Sequence, residues 1–183
     1  MRNNKTIMNL SRKIALALVF VLPFMHSARA DMQYLTPEQF LTENLAPELP
    51  KPNVLWLTKD IAKQVEQITG HAPILLRQRY WRVGDKTAWI LEEIGKEEPI
   101  TAGFIVTADK ITQVRVLTYR ESRGWEVRYP AFLKQYSGAG LQDDDALNRN
   151  IDGISGATLS VNAMNRMARL ALYFDRISKQ ESH

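Results

Sequence analysis

Apolar residues recur along this chain with two different periods, and the change between them divides it. Ahead of residue 74 the spacing is helical. Thr36-Pro37-Glu38-Gln39 predicts a helix start, with threonine as N-cap, proline at the first helical position and glutamine three residues after the cap. That helix runs to about Leu45. Pro47, Pro50 and Pro52 then predict an extended connector. Thr58 caps a second helix in which Ile61, Val65 and Ile68 share one face, and Gly70 is its stop.

From Ile74 the period shortens towards two, predicting strands over 74–83, 87–94, 104–108 and 111–119. Gly84-Asp85-Lys86 and Asp109-Lys110 supply turns. In the fourth strand Val114, Val116 and Thr118 alternate against Arg115 and Leu117. Short strands joined by tight turns predict an antiparallel meander. A short helix follows over 131–136, then a polar loop over 142–150, then a long helix over about 156–177. Val161, Met164, Met167, Ala168, Ala171, Phe174 and Ile177 form the apolar face of that last helix. The expected class is α+β: a small antiparallel sheet packed with helices, an N-terminal helical segment over 31–72 and a long C-terminal helix.

Residues 1–30 read as an address. Arg2, Lys5, Arg12 and Lys13 precede an apolar run over 14–25, and Ala28-Arg29-Ala30 forms an A-x-A cleavage signal. The expectation is a secretory signal peptide cleaved after Ala30, a mature start at Asp31 and a periplasmic location; retention as an anchor is the alternative. No later segment is long and apolar enough to cross a membrane.

Removing that segment changes the charge balance. Five of the 24 basic residues and none of the 20 acidic ones precede Asp31, which leaves 19 against 20. A near-neutral chain gives nucleic-acid binding little support. There is no cysteine, which excludes disulfides, thiolate zinc sites, cysteine-ligated iron–sulfur clusters and covalent c-type haem. Beyond the leader only His71 and His183 remain, a poor basis for a metal site. Asp143-Asp144-Asp145 lacks the ligand spacing of a calcium loop and reads as a solvated acidic stretch. Trp56, Trp81 and Trp89 read as core.

The segment Asp152-Gly153-Ile154-Ser155-Gly156-Ala157-Thr158-Leu159-Ser160 carries the chemistry. Small residues leave the Thr158 hydroxyl open to a bulky group, and the helix behind it offers free N–H groups to a phosphate. Ser155 is expected to cap that helix, and Asp152-Gly153 to turn the loop towards solvent. No His or Lys lies nearby in sequence to activate Thr158, so it reads as a modified residue and no catalytic group is assigned.

These nine residues, D-G-x-S-G-A-T-x-S, resemble the flavinylation motif of the FMN-binding domain family. The likeness extends over 99–177, through the Arg-Glu-Ser-Arg-Gly-Trp stretch and a Phe-Leu-Lys-Gln-Tyr-Ser-Gly segment. In this region the chain is similar to the FMN domains of sodium-pumping NADH:quinone reductases and of the Rnf complex. The resemblance implies an FMN-binding domain over 73–183 with FMN joined to Thr158 through a phosphoester, delivered by a flavin transferase from FAD. It also implies that Asp152, Gly153, Ser155, Gly156, Ala157, Leu159 and Ser160 surround the attachment point, and that Glu121, Ser122, Gly124 and Trp125 lie near the flavin. Lys134, Gln135 and Gly138 either face the ring or finish a helix. The implied role is an electron carrier between a membrane-bound redox protein or cytochrome and a further acceptor. A flavin-dependent reductase of a small substrate and a cofactor-free binding module remain alternatives.

Overall fold

The computed structural model describes residues 32–180; the leader over 1–30, its anchor alternative and His183 fall outside the described residues. The elements in chain order are β1 (Met32–Gln33), α1 (Pro37–Asn44), β2 (Asn53–Trp56), α2 (Lys59–Thr69), β3 (Arg77–Val83), β4 (Lys86–Ile94), β5 (Pro99–Thr107), β6 (Lys110–Tyr119), α3 (Pro130–Leu133) and α4 (Thr158–Gln180). Two 3₁₀ turns, Trp125–Arg128 and Lys134–Tyr136, flank α3. The fold class is α+β, as expected. The strands make one antiparallel sheet in the order β1-β6-β5-β4-β3-β2.

Local signals in the sequence produce the helix ends. The Thr36 Oγ accepts the Gln39 N–H at 3.1 Å while the Gln39 side chain accepts the Thr36 N–H at 2.8 Å, a reciprocal capping box. Thr58 Oγ accepts the Ile61 N–H, and Gly70 ends α2 at φ +85°, where a side chain would be strained.

The sheet separates two clusters. On one face α4 packs Val161, Met164, Met167, Ala168, Ala171 and Phe174 against the strands, all buried as expected, with Ile177 half-buried. Trp89 donates its indole N–H to Thr87, and Thr87 donates to the buried Asp175 of α4, which fixes the far end of that helix. On the other face Phe40, Leu41 and Leu45 pack with Ala88, Ile105 and Leu117. Each such side chain contributes about 1.5–3 kcal/mol by leaving water. A Cβ at Gly103 would come within 2.5 Å of the Phe40 ring, so the glycine makes room for α1.

Several expectations are corrected. β5 begins at Pro99, well before 104, because Gly103 serves packing inside the strand and does not interrupt it. β3 begins at Arg77; Ile74, Leu75 and Leu76 precede it, at 90, 67 and 66% exposure. The N-terminal segment, expected as two helices joined by an extended connector, also supplies the two edge strands: β2 pairs with β3, and β1 pairs with the end of β6. Of the three tryptophans read as core, Trp89 is buried, Trp81 is half-buried and Trp56 is exposed on the edge strand.

The alternation in β6 is interrupted twice. Ala102 faces Val116 but Thr101 faces Thr118, which leaves Leu117 as an extra residue; Thr112 is skipped in the same way. Val114 and Val116 point towards α4 and Leu117 away from it. Strict alternation would then turn Tyr119 away from α4. The bulge reverses that, and Tyr119 joins the α4 cluster opposite Ile100.

Candidate functional site

Thr158 is the first residue of α4 and is exposed. Ahead of it the Ala157 N–H donates to the Ile154 carbonyl at 3.0 Å, closing a turn through Ser155 and Gly156. Gly156 takes φ +79°, the conformation such a turn demands at its third position. Ser155 therefore lies within the turn and does not cap the helix; Ala157 occupies the position just before the first helical residue. The first bond into the helix runs from the Val161 N–H to the Ala157 carbonyl at 3.0 Å. The N–H groups of Thr158, Leu159 and Ser160 precede it and point out of the helix start, where negative charge is favoured.

Space around the hydroxyl is open. A Cβ at Gly153 or at Gly156 would meet nothing within 4 Å. Asp152, Gly153, Ser155 and Gly156 are exposed, Leu159 is 47% exposed, and Ala157 and Ser160 are buried beneath them. The Asp152 N–H donates to the Gln135 side chain at 2.7 Å, which ties the motif loop to the second 3₁₀ turn. Lys134 is exposed, and Gly138, at φ +79°, leaves room for the Arg149 guanidinium.

Tyr119 links the motif to the loop that follows β6. Its hydroxyl donates to the Arg123 carbonyl and lies 2.9 Å from the Ser160 Oγ. With the phenol proton committed to Arg123, Ser160 is the donor to Tyr119. Burial raises the Tyr119 pKa, against the opposing hydrogen bond from Ser160. Gly124 lies in the same junction: at φ +85°, a Cβ there would fall 2.9 Å from both Ser160 Oγ and the Tyr119 hydroxyl. The structure thus brings Gly124 against the motif. Trp125, which follows it, is 41% exposed, and Ser122 is exposed.

Glu121 turns inward. Its carboxylate accepts the N–H groups of Lys96, Glu97 and Glu98, the last two at 2.7 and 3.0 Å, and so holds the turn between β4 and β5. Burial pushes its carboxyl pKa up, but those three N–H donors and the Lys96 charge outweigh burial and leave it below the ordinary carboxylate value.

Sequence reasoning missed two groups. Tyr119 is one. The other is a charge cluster around Glu93, which is buried in β4: His71 Nε2 lies 3.0 Å from its carboxylate and Arg166 of α4 donates to it at 3.3 Å and to the Ile94 carbonyl at 2.9 Å. Beside that cluster an open cleft of about 640 Å³ runs between the end of α2 and α4. Its α4 wall, Asn162, Asn165, Arg166 and Arg169, continues the helix face that carries Thr158. Of the acidic stretch, Asp143 and Asp144 are exposed, but Asp145 is buried and pairs with Arg176 at 2.5 Å and Gln64 at 2.6 Å.

Residues 95–173 match the model of the FMN-binding domain family, a match that supports a flavin-binding role. The match runs from the β4–β5 turn through most of α4, so it takes in Tyr119, the 120–125 loop and the whole Thr158 motif; β1 to β4, with α1 and α2, lie ahead of it. Among curated proteins, none matches the chain.

Proposed function

We propose that the protein holds FMN through a phosphoester on the Thr158 hydroxyl and works outside the cytoplasm as an electron carrier between a membrane redox system and an extracytoplasmic acceptor. One observation carries this reading: an exposed threonine opens a long helix, with unpaired N–H groups at its back and glycines ahead of it that crowd nothing. The residues fit the group. The N–H groups of Thr158, Leu159 and Ser160 suit a phosphodiester, and Leu159 and Trp125 offer exposed apolar surface to a flat ring. A separate flavin transferase forms the bond, with FAD giving up its FMN half to the Thr158 oxygen and AMP leaving. Bound flavin supplies reversible redox chemistry; the chain orients it and leaves its edge accessible. Export rests on residues 1–30 alone.

The test is the intact mass of protein made together with its transferase. The expected gain is one FMN less one water, on a peptide containing Thr158, and none in Thr158→Ala. A reversible redox titration of the loaded protein checks the carrier role. Colourless, unmodified protein from the native host would overturn the reading.

The cleft along the Thr158 face supports a second reading, a reductase of a small anionic substrate held by Arg149, Arg166 and Arg169. Steady-state turnover with small anionic acceptors, lost on Arg169→Gln, separates it from the carrier.

A further inference from the structure

The start of β3, the end of β4, the start of β5 and the end of β6 lie at one end of the antiparallel sheet. The Thr158 motif joins that end through Tyr119. The most exposed apolar run among the described residues lies at that end too. Ile74, Leu75 and Leu76 lead into β3 at 90, 67 and 66% exposure, and Trp56, at the end of β2, is 60% exposed beside them. Folded soluble chains seldom leave such a run bare. The segment is anchored on both sides: the Leu57 N–H donates to the Leu76 carbonyl at 2.9 Å, and His71 is bonded to Glu93. It is therefore presented with little ordering left to do on contact.

Along the stretch of chain that carries it, one charge sign dominates. Between residues 51 and 79 stand Lys51, Lys59, Lys63, Arg77 and Arg79 against Asp60 and Glu66. Trp56 is directly opposite Arg77, and Val54 opposite Arg79, all four exposed on β2 and β3. Apolar side chains and guanidinium groups thus alternate on one surface, the arrangement that lets a residue enter an acyl layer while its neighbour reaches headgroup phosphates.

We propose that Trp56, Ile74, Leu75 and Leu76 form a tip that inserts into the interface of an anionic phospholipid bilayer, with Arg77 and Arg79 binding its phosphates. Docking by the tip sets the Thr158 motif at the same end of the molecule, three strand spacings or about 15 Å across the sheet from β3. A carrier so held meets a membrane-bound partner by diffusion in two dimensions. The tip lies outside the 95–173 match, and lipid binding by it does not require flavin.

The experiment is flotation of the exported protein, purified without detergent, with vesicles of phosphatidylcholine alone or mixed with phosphatidylglycerol. The parent is expected to float with the mixed vesicles and less in high salt. Ile74→Ser/Leu75→Ser/Leu76→Ser lowers partitioning about tenfold or more. Arg77→Gln/Arg79→Gln removes the preference for phosphatidylglycerol. Both keep the parent's circular dichroism and melting temperature, because the side chains replaced are exposed. Thr158→Ala floats like the parent whether or not the flavin reading holds, so the two ideas fail separately. Parent protein that stays unbound, or a triple-serine variant that floats equally well, overturns the proposal. A parent that instead forms a dimer in light scattering, lost in the triple-serine variant, assigns the tip to a second copy and overturns it too.

Discussion

The Tyr119 hydroxyl stands 2.9 Å from the Ser160 Oγ and donates to the Arg123 carbonyl, so one phenol joins the end of β6, the loop after it and the first turn of α4. Tyr119→Phe keeps the buried ring and deletes both hydrogen bonds. It should cost about 1–3 kcal/mol, and Ser160→Ala about 1 kcal/mol, in urea unfolding. Tyr119→Phe should also lower the yield of the proposed flavinylation at Thr158, since the helix start is no longer held against the loop. Wild-type stability in both variants would show that the bridge contributes nothing.

Glycines around the motif should divide by geometry. Gly124 combines φ +85° with atoms 2.9 Å from a would-be Cβ, belonging to Ser160 and Tyr119. Gly124→Ala should therefore destabilise by about 2 kcal/mol or more and disturb the same junction. At Gly153 nothing lies within 4 Å, and Gly153→Ala should fall within about 0.5 kcal/mol of the parent. Thermal melts of the two variants side by side decide the matter; equal losses would mean that the contact at Gly124 is relieved without cost.

How much of this is legible in the sequence depends on how local each interaction is. Thr36 with Gln39, Thr58 with Ile61, and Gly70 act within one turn, and the helices begin and end where those residues predict. The Thr158 motif belongs to the same kind, a loop and the helix it opens. Tyr119 is different. Its orientation follows from a bulge at Leu117, which exists only in the register with β5, and alternation alone turns the ring to the wrong face. Glu121 meets its three N–H donors 23 to 25 residues away, and His71 meets Glu93 across 22, so neither pairing shows in local composition. β2 hides for a related reason: only pairing with β3 makes a strand of a short run behind three prolines.

Glu121→Gln tests the turn at residues 95–98. The native carboxylate is held below its ordinary pKa, so it contributes stability above the pKa of the unfolded chain. That contribution is lost as pH falls through the lower, folded value. At neutral pH the amide still accepts N–H groups but without charge, a loss of about 1–2 kcal/mol. The gap between variant and parent should narrow in acid, once the parent's carboxyl is protonated. Urea unfolding at pH 7 and in the acid range measures both; a gap independent of pH would exclude the charge as its source.

His71 should give the fold a second pH dependence of opposite sign. The Ala72 carbonyl on Nδ1 and the Glu93 carboxylate on Nε2 both favour the protonated ring, and together they raise its pKa above 6.5 in spite of partial burial and the nearby Arg166. Stability from this group is therefore fully present below 6.5 and is lost as pH rises through the raised folded value. The ring is half exposed, at 50%, so solvent screening limits the effect to under about 1 kcal/mol. Melting temperatures between pH 6 and pH 8 (about the imidazole range) should drift down in the parent and stay level in His71→Ala. Glu93→Gln should weaken the same drift, leaving the part due to the Ala72 carbonyl, while costing stability at every pH, because Arg166 then loses the carboxylate it donates to. An unchanged slope in His71→Ala would place the titrating group elsewhere and leave the bond to Glu93 as a mechanical tether for the segment running into β3.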